Sequence, residues 1–160
     1  MTFLRAFKRH QGGAAAAEMA LVLPLLLIIM FGGFEAGHYF YTEQKIIKAV
    51  REGARYAGRL PFDQFTCSTA NREADIQEVT RTGLLSGGTP LISGWENDDI
   101  TVTVGCDATA TSGIFTSLAG GARIVTVSAT ADYPSLFEAL GFIDSTASVN
   151  ASAQAVVMGI

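Results

Sequence analysis

The chain reads as an α+β protein. A long N-terminal helix, membrane-embedded in its first half and amphipathic in its second, is expected to pack on a small antiparallel sheet with one or two short helices. Three observations predict this. Met19 to Phe34 is an uncharged apolar run. Beyond Glu35, apolar residues recur at the three- and four-residue spacing of a helix face as far as Ala57. After residue 99, three segments alternate apolar and polar residues with period two, as half-buried strands do. With 160 residues the chain has room for one small domain plus an appendage.

Charge orients the N-terminal part. Residues 1–13 hold Arg5, Lys8 and Arg9 and no acid, so they carry +3, while the remaining 8 basic and 15 acidic residues leave −7 and a total of −4. A basic tail, an apolar run and an acidic remainder predict a single-pass inner-membrane protein with its N-terminus in the cytoplasm and its C-terminal domain in the periplasm. The acidic remainder and the lack of a zinc or phosphate-loop motif exclude nucleic acid as a partner. Ala14–Phe34 would form a helix of roughly 31 Å, enough to cross the hydrocarbon layer. A cleaved secretory signal places small residues after its apolar core. Here Gly12 to Ala17 come before it, and Phe31 and Phe34 spoil Gly32–Gly33 as a late cut site.

A plain anchor accounts for everything in this stretch except Glu18. An anion in the first turn is tolerated there, because the helix dipole favours it. Cleavage between Gly13 and Ala14 supplies a positive role. Ala14 would become a free ammonium terminus, and Glu18 could meet the ammonium of a neighbour in a staggered stack of parallel helices. Desolvation cancels much of that attraction, so the pair would set axial register more than stability.

A basic leader, Gly13, four alanines, Glu18 and then the ALVLPLLL run resemble the class III signal of type IV pilin-like proteins. Together with the later REGARYAGR segment, they are similar to the TadE-like minor pilins or pseudopilins of the Flp/Tad (tight-adherence) branch. In that branch an aromatic often follows the glutamate. Met19 stands there instead, and the chain is longer than a major pilin, which points to a minor subunit. The resemblance implies cleavage by a prepilin peptidase after Gly13. It also implies association with other Tad pilins and pseudopilins, with the inner-membrane assembly platform and with the lipid bilayer, and incorporation into a surface adhesive pilus.

The expected division is 1–13 leader, 14–34 transmembrane helix, 35–60 amphipathic extension of the same helix, and 61–160 exported head. Pro24 removes one helix hydrogen bond and is expected to kink or loosen the span. Gly33 and Gly37 form a small-xxx-small pair suited to a close helix neighbour. His38 to Tyr41 fit an interfacial aromatic belt. In the extension, Ile46, Val50, Gly53 or Ala54, and Ala57 form the inner face. Lys45, Lys48, Arg51, Arg55 and Arg59 form a basic stripe, which reads either as a docking surface for acidic neighbours or as a solvated face. Gly58 and Pro61 provide the stop.

Asn71 is expected to cap a second helix, with Glu73 and Asp75 in its first turns, Arg81 near its end, and Ile76, Val79 and Gly83 on its inner face. Gly87, Gly88 and Pro90 make a loop, and Trp95 is expected at the domain edge. The strands place Ile100, Val102, Val104 and Cys106 on one face, then Val125, Val127, Ala129 and Ala131, then Ala147, Val149, Ala151, Ala153 and Ala155. The last set is small, so something must approach that strand closely, and the amphipathic half of the long helix is the natural partner. PSLFEALGF, between the last two strands, is expected to send Leu136, Phe137, Leu140 and Phe142 into the core. Exposed, they would be a subunit contact. Cys67 and Cys106, the two cysteines, predict one disulfide between the second helix and the sheet, the alternative being two buried thiols.

No catalytic set is visible. His10 lies in the leader and His38 at the membrane, neither cysteine has a histidine to activate it, and Asp98–Asp99 lie in a polar turn. The expectation is a non-enzyme without cofactor or metal, a minor pilin or pseudopilin taking part in Tad pilus assembly. The alternative is an uncleaved, membrane-anchored periplasmic binding module.

Overall fold

The computed structural model describes residues 11–141 and 146–160. The expected leader charges Arg5, Lys8 and Arg9 lie outside the described residues, as do Phe142 and the side chain of Leu140. The long helix is present as α1 (Gln11–Arg59), unbroken through Pro24. It is followed by a short helix α2 (Glu73–Thr82) and by strands β1 (Ile100–Asp107), β2 (Ala122–Asp132) and β3 (Ser148–Val156). The strands form an antiparallel sheet in the order β1-β2-β3.

The sheet alternates as its sequence dictates. Val125, Val127, Ala129 and Ala131 of β2 are buried while their neighbours are more exposed. Register brings Val102, Val127 and Ala153 into one cross-strand row and Val104, Val125 and Ala155 into the next. The second half of α1 lies on this face through Ile46, Val50, Ala54 and Ala57, all essentially buried. The small side chains of β3 allow the approach. A Cβ added to Gly58 would stand 3.1 Å from the Val156 carbonyl oxygen, and the Met158 N–H donates to the Gly58 carbonyl at 2.8 Å. Gly58 is therefore a helical contact residue; the helix ends after Arg59, just before Leu60 and Pro61.

α2 crosses the same helix at Gly53. A Cβ there would fall 1.9 Å from Thr80 Oγ1, itself buried and donating to the Ile76 carbonyl at 2.7 Å. Gly53→Ala should therefore lower stability by about 1–3 kcal/mol through overpacking, more than the gain in helix propensity returns. Urea unfolding of the full chain in detergent checks this. Thr80→Ala in the same chain should recover part of the loss, and an unchanged midpoint for Gly53→Ala would show that the crossing is not tight.

Four expectations need correcting. Arg72, not Asn71, is the residue before the first turn of α2, and its side chain makes no cap. Asn71 is held elsewhere, its N–H donating to the Gln64 carbonyl at 2.8 Å, while Arg72 pairs with Asp75. Gly83 is not an inner-face residue but the left-handed terminus of α2, with φ 78°. Trp95 is not at the edge: it is 2% exposed, within the core, and its indole N–H donates to the Thr130 carbonyl at 3.0 Å. Leu136 does not enter the core either and remains 54% exposed, while Phe137 packs on α1. The bridge Cys67–Cys106 is formed, tying the segment before α2 to the end of β1.

Candidate functional site

From Gly13 to Met30 every residue of α1 is exposed. The helix holds an 18-residue window of mean hydropathy 2.4 with none of it buried against the protein, so by length and composition it can cross a membrane. Among the described residues nothing in the head covers Gly13–Met30. The apolar surface is therefore free for lipid or for other helices, and hydrophobic exposure on this scale marks such a contact. Gly13 and Ala14 are helical, and Glu18 follows Ala14 one turn later, exposed. Among the described residues Glu18 has no hydrogen-bond or ion-pair partner. Gly33 and Gly37 face open space, with nothing within 4 Å of an added Cβ.

The basic stripe lies on the side of α1 away from the head. Lys48, Arg51, Arg55 and Arg59 are exposed. Arg55 pairs with Glu52 at 3.2 Å, both side chains being more than half exposed, so the pair contributes little to stability. Lys45 is drawn in, donating to the Leu91 carbonyl at 3.2 Å with its ammonium 4.8 Å from the Tyr41 ring centroid.

One site lay outside the sequence reading. Glu35, read there only as the end of the apolar run, is 1% exposed. Its carboxylate accepts the N–H of Phe137 at 2.9 Å and that of Leu136 at 3.3 Å. The Tyr133 hydroxyl donates to the Glu35 backbone carbonyl at 3.1 Å and lies 3.1 Å from His38 Nδ1. Burial pushes the Glu35 carboxyl up, but the surrounding donors outweigh it and the net effect is a pKa below the ordinary value. The two backbone N–H groups bond the carboxylate directly, while the Ser135 hydroxyl is buried beside it without a hydrogen-bond partner. Burial, helped by the Glu35 charge, pushes the Tyr133 phenol up, so it stays a donor at any physiological pH. Tyr133 also packs on Tyr39 and His38. Of the expected aromatic belt, His38 and Tyr39 thus serve the head, while Phe40 and Tyr41 remain exposed.

The arrangement is a bare apolar rod with one carboxylate near its start, joined at Glu35 to a head that grips it. Residues 13–55 match the family model described as TadE-like protein. This segment is TadE-like. The match is consistent with a TadE-like protein of the Tad pilus system. The TadE-like segment begins at Gly13 and includes Ala14, Glu18, Pro24, Glu35 and the basic stripe as far as Arg55. It takes in the exposed rod and the part of α1 that packs on the head as far as Arg55, and leaves Ala57, Gly58 and the strands outside. No curated protein and no solved structure matches the chain.

Proposed function

We propose that the chain is a minor pilin or pseudopilin of a Tad-type adhesive pilus, inserted in the inner membrane with its head in the periplasm and cut after Gly13 by a prepilin peptidase. The observation that carries this is an uncovered apolar helix that begins with Gly13, four alanines and Glu18 inside a TadE-like segment. The role is structural and not enzymatic. The rod supplies association with lipid and with other pilins, and Glu18 aligns it by meeting the new Ala14 ammonium of a neighbour. The basic stripe, turned away from an otherwise acidic chain, offers acidic sibling subunits a complementary surface. The inner-membrane platform is the remaining partner. A disulfide in the head suits an oxidising compartment.

N-terminal sequencing of protein extracted from its host membrane should begin at Ala14. A start within Met1–Gly13 favours the uncleaved, anchored binding module instead. Glu18→Ala should insert in the membrane at wild-type level yet fail to enter the pilus, or be processed abnormally. Normal processing and normal pili in that variant would remove the register role.

A further inference from the structure

Phe137 leaves the head to pack on Phe31, ring centroids 5.0 Å apart. Phe31 belongs to the uncharged run, and Glu35 is the first charged residue after it. Four residues of helix separate the two, roughly 6 Å along the axis. A segment of the head therefore reaches past the last charge of the rod, to the level where an anchor enters hydrocarbon. Leu136, beside it, is 54% exposed, and so is Phe34 of the helix at 61%.

The backbone of this segment is arranged for a place short of water. Pro134 has no N–H. The Ser135 N–H donates to the Tyr133 carbonyl at 3.0 Å, and the Leu136 and Phe137 N–H groups donate to the Glu35 carboxylate. Consecutive donors are thus satisfied inside the protein, which lipid contact demands and an aqueous loop does not. We infer that Pro134–Phe137 is a foot by which the head rests in the interfacial layer of the bilayer holding the anchor, with Leu136 as its lipid contact. The inference rests on the membrane-anchor reading above. A reach of roughly 6 Å fits the ~5–10 Å to which interfacial apolar segments sink. The foot would fix the tilt of the head over the membrane before the subunit is drawn out of it.

The test uses the full chain in phosphatidylcholine bilayers carrying a nitroxide at the top of the acyl chain. A fluorophore is placed singly on Leu136→Cys, on Leu27→Cys in mid-anchor, and on Thr103→Cys on the exposed sheet face, with the native disulfide intact. Labels at positions 136 and 27 should lose emission and the label at 103 should not. Quenching at 27 without quenching at 136 overturns the foot and leaves the anchor standing. No quenching at 27 overturns the anchor, and the foot with it. Cross-linking of an unquenched position 136 to a second copy would make this surface a subunit contact and also overturn the foot. A label-free check is nitroxide broadening of the Leu136 methyl signals in the unmodified chain. Sharp methyl signals there would overturn the foot even if the labelled variant were distorted.

Discussion

Cys67→Ala together with Cys106→Ala should lower the stability of the head by roughly 4 kcal/mol, the chain-entropy value for a bridge closing a loop of this length. The two cysteines are 39 residues apart, and the loop they close contains α2, the Trp95 segment and nearly all of β1. Small domains are stable by about 5–15 kcal/mol, so the loss is a large share of the total. The surroundings are built around the bridge: Gly120 has φ +87°, and a Cβ there would lie 2.8 Å from Cys67 Sγ. Trp95, the single tryptophan, is a buried reporter inside the closed loop. Its emission should follow urea unfolding of the full chain in detergent. Reductant should shift the wild-type midpoint toward that of the double variant and leave the double variant unmoved. A wild-type midpoint indifferent to reductant would show that the bridge contributes nothing to the fold.

The parts of this fold that were legible are those whose burial follows a local period. Ile46, Val50, Ala54 and Ala57 share a helix face, and the burial found is the burial expected. The alanines of β3 implied a close neighbour, and Gly58 supplies it from the helix predicted to do so. Trp95 was misplaced because its surroundings, Ser93, Gly94, Glu96 and Asn97, read as loop, while the carbonyl that holds it belongs to Thr130, far along the chain. Leu136 was misplaced because apolar residues in a short segment carry no period that separates core from another contact. Glu35 was missed for a different reason. A charge at the end of an apolar run has a sufficient local explanation, and its donors lie 101 and 102 residues away. One signal was present: continued backwards, the inner face of α1 passes from Ile46 to Thr42, His38 and Glu35 at spacings of four, four and three, and Glu35 and Thr42 are both buried. That carried the polar residues into contact with the head rather than with lipid.

Glu35→Ala should release the 133–137 segment from the long helix without unfolding the head. The substitution leaves the N–H groups of Leu136 and Phe137 without an acceptor, and orphaned buried donors cost about 1–3 kcal/mol each. The loss falls on residues 133–137, because Ile46, Val50 and Ala57 pack on the sheet without help from Glu35. Amide exchange at Leu136 and Phe137 should therefore accelerate by at least about tenfold, the equivalent of 1.4 kcal/mol of lost protection, while Trp95 emission stays as in wild type. Glu35→Gln keeps one acceptor oxygen but turns an amide N–H₂ toward the other donor, so it should fall between wild type and Glu35→Ala. Acid should act on the unmodified chain in the same direction. The folded carboxyl titrates below its ordinary value of 4.5, so its contribution is complete above that value and is lost as pH falls through the lower, folded one. The protection of Leu136 and Phe137 should accordingly hold at neutral pH, begin to fall below about pH 4.5, and show no such acid step in Glu35→Gln. Exchange at these two amides that is unchanged in Glu35→Ala would mean the carboxylate does not hold the loop, and the junction between rod and head would then rest on Tyr133, Tyr39 and the Phe31–Phe137 contact alone.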